Sequence, residues 1–406
     1  MNILVIMPDI PYPPVNGGRL DYYYQLVLLH YLGAQVHVIY CYNNVQDINI
    51  GADELSKLCK DNYSFSRNKD IFHAVHPTIP YYALSNKPSS KEINRLHDFI
   101  INYCIDIDIL IIEQPHVFEI AKLVIKWLNK KTTIIYRMQN IEHLFFQDLF
   151  KTTAWTNPRK YLYLLEMFRM AKYERKVIER ADKIVCVSQK ETSYVKKINP
   201  QAKVSWLPVM YRPNEDRIIT LSKDEMIEFN LLKERLANKK IVLFTSSFVG
   251  GFNVQATRWF INEVFPLIQE RLPNVIFMFG GFYADKYFSN IMNDSLYVFS
   301  KVKSVKPYIA IADLNVILTT SEAGAKLKLM EAIFYYKKTV STPEGVYGSG
   351  LEDCVPNTND PTIFAEYCIE ILNGNMEFSA VWKKYDELYN TENIKNKVKQ
   401  LLLSRD

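Results

Sequence analysis

The sequence has no Cys-x-x-Cys pair. Its six cysteines, at 41, 59, 104, 186, 354 and 368, are scattered and several fall in apolar runs. That spacing offers neither a zinc-ligand set nor a disulfide frame, and it predicts reduced, buried thiols of a cytoplasmic protein. No run of about 18 apolar residues is present, so no spanning helix is expected. A strand is expected from Asn2 and no secretory signal is read, so the expectation is a protein that is soluble or peripheral at the inner face of a membrane. Gly-x-Gly-x-x-Gly, Walker A, Gly-x-Ser-x-Gly and His-Glu-x-x-His patterns are all missing. A formal charge of +5 over 406 residues is too weak to indicate nucleic acid. Thirteen glycines and 18 prolines are too few for a collagen-like or low-complexity chain. His73 and His76 lack companion ligands, and Asp106-Ile107-Asp108 runs directly into an apolar strand, so no metal is expected.

What is present is a repeating alternation of apolar runs and helical patterns. Strands are expected at Asn2 to Met7, Val36 to Tyr40, Ile107 to Ile112, Thr133 to Tyr136 and Ile184 to Val187. Helices are expected at Arg19 to Leu32, closed by Gly33, at Val117 to Leu128 and at Pro158 to Arg180. The alternation restarts at Lys240, with a helix over Val254 to Arg271 and strands at NVIFMFG and SLYVF. This is an α/β pattern of mainly parallel sheets covered on both faces. The domain reading is 1–213 as the first unit, 214–239 as linker and surface helix, 240–377 as the second unit, and 378–406 as a terminal helix. Over Pro158 to Arg180, aromatics (Tyr161, Tyr163, Phe168, Tyr173) interleave with Arg and Lys. That stretch suits either a membrane-surface helix or a domain-packing helix with a solvated basic face.

The most informative segment is Leu314 to Val346. An apolar strand passes through Thr320-Ser321-Glu322-Ala323-Gly324 into a helix beginning near Ala325. A strand feeding a helix through such a turn presents backbone N–H groups to a phosphate. Lys326 and Lys328 fall in the first turn, where cations oppose the helix macrodipole, and Glu331 follows three residues after Lys328. A multiply charged anion would account for the lysines, and a carboxylate one turn deeper could accept hydrogen bonds from a sugar diol. The plain alternative is an amphipathic helix packed through Leu327, Met330 and Phe334.

The string GAKLKLMEAIFYYKKTVST resembles the nucleotide-sugar signature of GT-B glycosyltransferases, and more narrowly the retaining enzymes of family 4. The resemblance implies that Glu331, the acid of MEA, binds the donor ribose, and that Gly324 and Ala325 open the helix holding the diphosphate. Lys326 and Lys328 match that subgroup's GTKLK. The residue eight before Glu331 is Ala323, and Glu322 is the nearest acid to the family's first Glu. PPVNGGR resembles the family's interdomain loop, with Pro13, Pro14, Gly17, Gly18 and an exposed Arg19 beside donor and acceptor. MQNIEH resembles its HNxEH, with Asn140, Glu142 and His143 matching and Gln139 replacing the first His. Glu174 matches a structural YE, and Ser188 is expected at a strand end facing the cleft. FTSSFVGGFNVQATRWF resembles its second-domain opening, where Phe248, Gly250 and Gly251 form a loop for base or sugar and Arg258 shares the diphosphate burden. Trp259 and Phe260 are read as core.

The resemblance implies two Rossmann-like domains facing a cleft, with the C-terminal helix crossing back to the first. It implies a metal-independent transferase with no cofactor beyond its nucleotide-sugar co-substrate, acting on a glycan or lipid-linked acceptor in surface polysaccharide or glycoconjugate synthesis. Lys326, Arg19 and His143 are the catalytic candidates. A catalytically silent subunit and a nucleotide-sugar epimerase are the alternatives.

Overall fold

The computed structural model describes residues 1–14, 16–129, 131–209, 217–249, 251–322, 324 and 326–403. Its first sheet uses β1 (Asn2–Met7), β2 (Gln35–Tyr42), β3 (Asp61–Ser66), β4 (Ile109–Glu113), β5 (Thr133–Met138), β6 (Lys183–Cys186) and β7 (Val204–Trp206). The order is β3-β2-β1-β4-β5-β6-β7. The second sheet uses β8 (Lys240–Thr245), β9 (Val275–Gly280), β10 (Leu296–Phe299), β11 (Leu314–Ile317) and β12 (Thr339–Ser341), in the order β10-β9-β8-β11-β12. Every pairing is parallel, with Ile3 opposite both Val36 and Ile109, and Val242 opposite Leu314. Strands buried on both faces need unbroken apolar runs, and ILVIM and IVLF supply them.

In each sheet the strand order reverses beside the first strand, between β1 and β4 and again between β8 and β11. Ligands of such sheets collect outside the carboxyl ends of the strands at that reversal. The two carboxyl edges face each other, giving the expected pair of Rossmann-like domains around a cleft.

Apolar side chains fill both faces of the first sheet, and a separate core surrounds the second. Helix Lys223–Arg235 buries Leu232 in that second core, and Tyr308 donates a hydrogen bond to Glu228 at 2.9 Å. The expected linker helix is therefore an integral part of the second domain. The expected terminal helix is two: Ser379–Tyr389 packs on the second domain, and Thr391–Leu403 docks Ile394, Val398 and Leu402 on the first. Asn390 makes the break, because its side chain accepts from the amides of Glu392 and Asn393 and starts a new helix. The helix expected over Val254 to Arg271 runs from Gly251 and contains a π turn over Phe260–Val264. Pro266 follows that turn and cannot donate an α-helical bond. All six cysteines are free, and five are buried.

Candidate functional site between the two sheets

The loop after β1 ends at Asn16, whose side chain accepts from the Arg19 amide at 3.0 Å and caps helix Gly17–Tyr31. Opposite it, β11 leads through Thr319, Ser321 and Gly324 to helix Leu327–Phe334. The two helix starts nearly touch: a Cβ on Gly17 would lie 2.6 Å from Leu327 Cδ1. Gly324 has φ +72°, and a Cβ there would meet Asn140 Oδ1 at 2.2 Å. Only glycine combines that backbone with that proximity.

Between them lies a cleft of about 850 Å³. Of the expected residues, Gly17, Gly18, Asn140, Gly324, Lys326, Lys328 and Glu331 line it, together with Gln139 and Asp21. Lys328 donates to Ser246 Oγ at 2.6 Å and to Asn253 Oδ1 at 3.4 Å, so it is fixed toward the end of β8. Burial, reinforced by the charge of Lys326, pushes its ammonium down to about 7. Burial likewise pushes Lys326 down to about 8, against the opposing pull of Glu191. The helix begins at Leu327, with Lys326 at the cap position, two residues later than the sequence suggested.

Beneath the cleft floor, Arg137 on β5 bonds both oxygens of Asp21 and reaches Glu113 at 3.4 Å. Gln139 Nε2 donates to Asp21 at 2.7 Å and to Glu113 at 3.3 Å. Burial, partly offset by Arg137, pushes the Glu113 carboxyl up to about 7. Sequence reading found Gln139 but missed Asp21, Arg137 and Glu113. An Arg inside an otherwise apolar strand was the available signal. It also missed the 302–306 loop after β10, whose Lys303 and Lys306 line the cleft and stand out in the string SKVKSVK.

Several expectations need correction. Arg19 is buried, not exposed: its guanidinium holds Asp9 and Asp47, each at 2.8 Å, and faces a smaller cavity of about 250 Å³ in the first domain. His143 turns to the buried Glu174, 3.3 Å away, and does not line the cleft. Glu142 lines the smaller cavity, 3.4 Å from His116, a histidine the sequence reading had not singled out. Glu174 also accepts from the Glu142 amide, the structural role expected of it. Ser188 is buried as the cap of helix Gln189–Ile198 and bonds Glu191. Glu322 is exposed and pairs with Lys190 across the domains at 2.6 Å. Phe248 is core, packed on Phe244 and Phe288, whereas Arg258 is exposed on an outer helix. Gly251 packs against Thr152, a domain contact. Gly250 and Ala325 lie outside the described residues. Trp259 and Phe260 pack on Phe364, as core. Asp108 caps the Asn2 amide at 2.7 Å, and among the described residues no group of acids, His and Cys could hold a metal. Among them too, no helix is long and apolar enough to cross a membrane.

Residues 239–374 match the family model described as Glycosyl transferases group 1. Over 409 aligned residues, 95% of this chain and 96% of the relative, the sequence is 26% identical to an uncharacterized 44.6 kDa protein in the cps region of Klebsiella pneumoniae. A glycosyltransferase of Rickettsia africae superimposes over 100% of this chain and 99% of its own, with TM-score 0.64 at 13% identity. Staphylococcus aureus TarM, solved with fondaparinux, alpha-GlcNAc-glycerol and UDP, covers 100% of both chains, with TM-score 0.65 at 12% identity. In fold over its whole length, and in sequence over residues 239–374, the chain is similar to GT-B glycosyl transferases of group 1.

Proposed function

We propose that the protein transfers a sugar from a nucleotide-sugar donor to a glycan or lipid-linked acceptor, with retention and without a metal ion, in surface polysaccharide synthesis. The observation that carries this reading is Lys326, Lys328 and Glu331 gathered on one wall of the cleft, against the Gly17-Gly18 helix start on the other. The bond from the sugar C1 to the diphosphate breaks, C1 bonds the acceptor oxygen, and the acceptor's proton passes to the diphosphate. The leaving diphosphate gains charge as its bond breaks, and preorganised cations stabilise that charge most where water is scarce. Glu331 takes the ribose hydroxyls, and the 302–306 loop closes the nucleotide end. The Klebsiella relative's cps-region origin and the UDP bound by TarM support this substrate class.

Incubation with a panel of nucleotide sugars and a lipid-linked acceptor extract, with and without EDTA, tests it. Release of nucleoside diphosphate with sugar incorporation, undiminished by EDTA, is expected. Absence of both with every donor would favour a catalytically silent subunit, the reading suggested by Glu322 pairing with Lys190 outside the cleft lining.

A further inference from the structure

Helix Arg159–Arg180 buries one face through Met170, Tyr173, Val177 and Ile178, and turns Lys160, Glu166, Arg169 and Glu174 to internal contacts. Lys160 donates to the carbonyls of Phe150 and Thr153, and Arg169 to Glu166 and the Ala74 carbonyl. Its outer face is the unusual one. Tyr161, Leu162, Leu165 and Phe168 recur at helical spacing and are all exposed. One to three turns on, the same face carries Lys172, Arg175 and Lys176, with Arg175 paired to Glu179.

A second exposed apolar element adjoins it. The single turn Ile71–Val75 points Ile71 (77% exposed), Phe72 (75%) and Val75 (72%) outward. Arg169 ties this turn to the helix through the Ala74 carbonyl at 2.9 Å, one residue from Phe168. Lys69 and Arg159 are exposed beside these elements, and Asp70 is engaged as the cap of the turn. Single exposed apolar residues need no explanation, but a helix stripe and a loop wedge joined together and flanked by cations do. The combination is complementary to one surface: an anionic bilayer, whose headgroups pair with Lys and Arg while aromatic and aliphatic tips enter the acyl boundary.

The placement relates to the smaller cavity. The Tyr81 amide donates to Glu166 at 2.9 Å, so the helix bears directly on the segment Tyr81–Ser85. The next residue, Tyr82, packs on His116 and Phe146 and lines the 250 Å³ cavity. We infer that the exposed face of helix Arg159–Arg180 and the Ile71–Val75 turn dock the first domain on an anionic membrane, presenting the Tyr82–His116 cavity to a lipid-linked acceptor. This rests on the lipid-linked branch of the proposed function, but the docking itself is measurable without any transfer.

The test is flotation of the full-length protein with vesicles of phosphatidylcholine alone, or with phosphatidylglycerol added, at low and high salt. The protein is expected to float with the anionic vesicles and to be released by salt. Phe72→Asp with Phe168→Asp should lower the partition coefficient by about tenfold or more, the weight of two buried aromatic side chains. Lys172→Glu with Lys176→Glu should lower it by about fivefold or more per lysine on anionic vesicles only. Circular dichroism and nucleotide affinity equal to wild type show that these surface variants remain folded. Wild-type protein that stays in solution with anionic vesicles overturns the inference, as do variants that bind as well as wild type. Self-association abolished by the aspartate pair, without vesicle binding, overturns it in favour of a second copy. Transfer to a water-soluble acceptor without vesicle binding would sink the docking alone and leave the transferase reading standing.

Discussion

Lys326 and Lys328 are ammonium groups that burial makes ready to lose their protons, at about 8 and about 7. A bound diphosphate would raise both values, so binding should draw protons from solution. The sign follows: below about pH 7 both lysines already carry charge, whereas above about pH 8 the empty protein must collect protons, and affinity falls as pH rises. Calorimetry at pH 7.5 in two buffers of different ionisation enthalpy should report net proton uptake. Identical heats in the two buffers would contradict it. Glu331→Ala should weaken nucleotide binding by roughly 1.5–3 kcal/mol, as for hydrogen bonds to a charged group, and unchanged affinity in a folded variant would remove it from the donor site. Arg19, on the wall of the smaller cavity, also bears on stability. Removing its guanidinium strands Asp9 and Asp47, both partly solvated, so Arg19→Ala should cost about 1–3 kcal/mol in urea unfolding. The cationic wall was legible because Lys326, Lys328 and Glu331 sit within one short string. The arginine was not, since its partners lie 10 and 28 residues away and no local pattern announces an ion pair between loops.

Among the elements, strands were the easiest to read, because a strand buried on both faces has to be apolar throughout. Boundaries were set by single polar groups that the periodicity does not register. Asn390 divides the terminal stretch through two amide bonds, and the π turn before Pro266 shifts one helix without ending it. Phe248 was misread because an aromatic next to two glycines suggests a binding loop, although here it fills the gap between Phe244 and Phe288. The docked helix Thr391–Leu403 carries a measurable share of the first domain's stability. Ile394 is 1% exposed against the first sheet, so Ile394→Ala should cost about 2–5 kcal/mol. Urea unfolding followed by tryptophan fluorescence reads this, and a change below about 0.5 kcal/mol would mean that the helix is only loosely seated.

At the scale of the molecule, the domains meet through contacts that leave no room for a methyl group. Gly324→Ala places a side chain in a left-handed backbone and against Asn140, which costs about 1–2 kcal/mol for the conformation alone. The methyl would meet the free end of the Asn140 side chain, which can turn aside, so the left-handed backbone is the strain that stays. Urea unfolding should show a loss of about that size, and turnover should fall as Asn140 is displaced from the cleft lining. Unchanged stability with unchanged turnover would show that the position does not need glycine. The two-domain frame was legible from the restart of the strand–helix alternation at Lys240, and the way the halves press together was not. It depends on pairs such as Lys190 with Glu322 and Ser321 with Asp148, which join residues 132 and 173 positions apart.

The return of the last helix to the first domain has a consequence for how the protein is made. The side chain of Lys183 reaches the Leu401 carbonyl across 218 residues of chain, so one wall of the first domain is synthesised only after the whole of the second domain. Until then the face around Leu28 and Leu29, which that helix covers, stays open to water and to other chains. The second domain, whose core draws its strands from one uninterrupted stretch, can be finished earlier. Nascent chains stalled short of Thr391 should therefore be the form that chaperones hold longest.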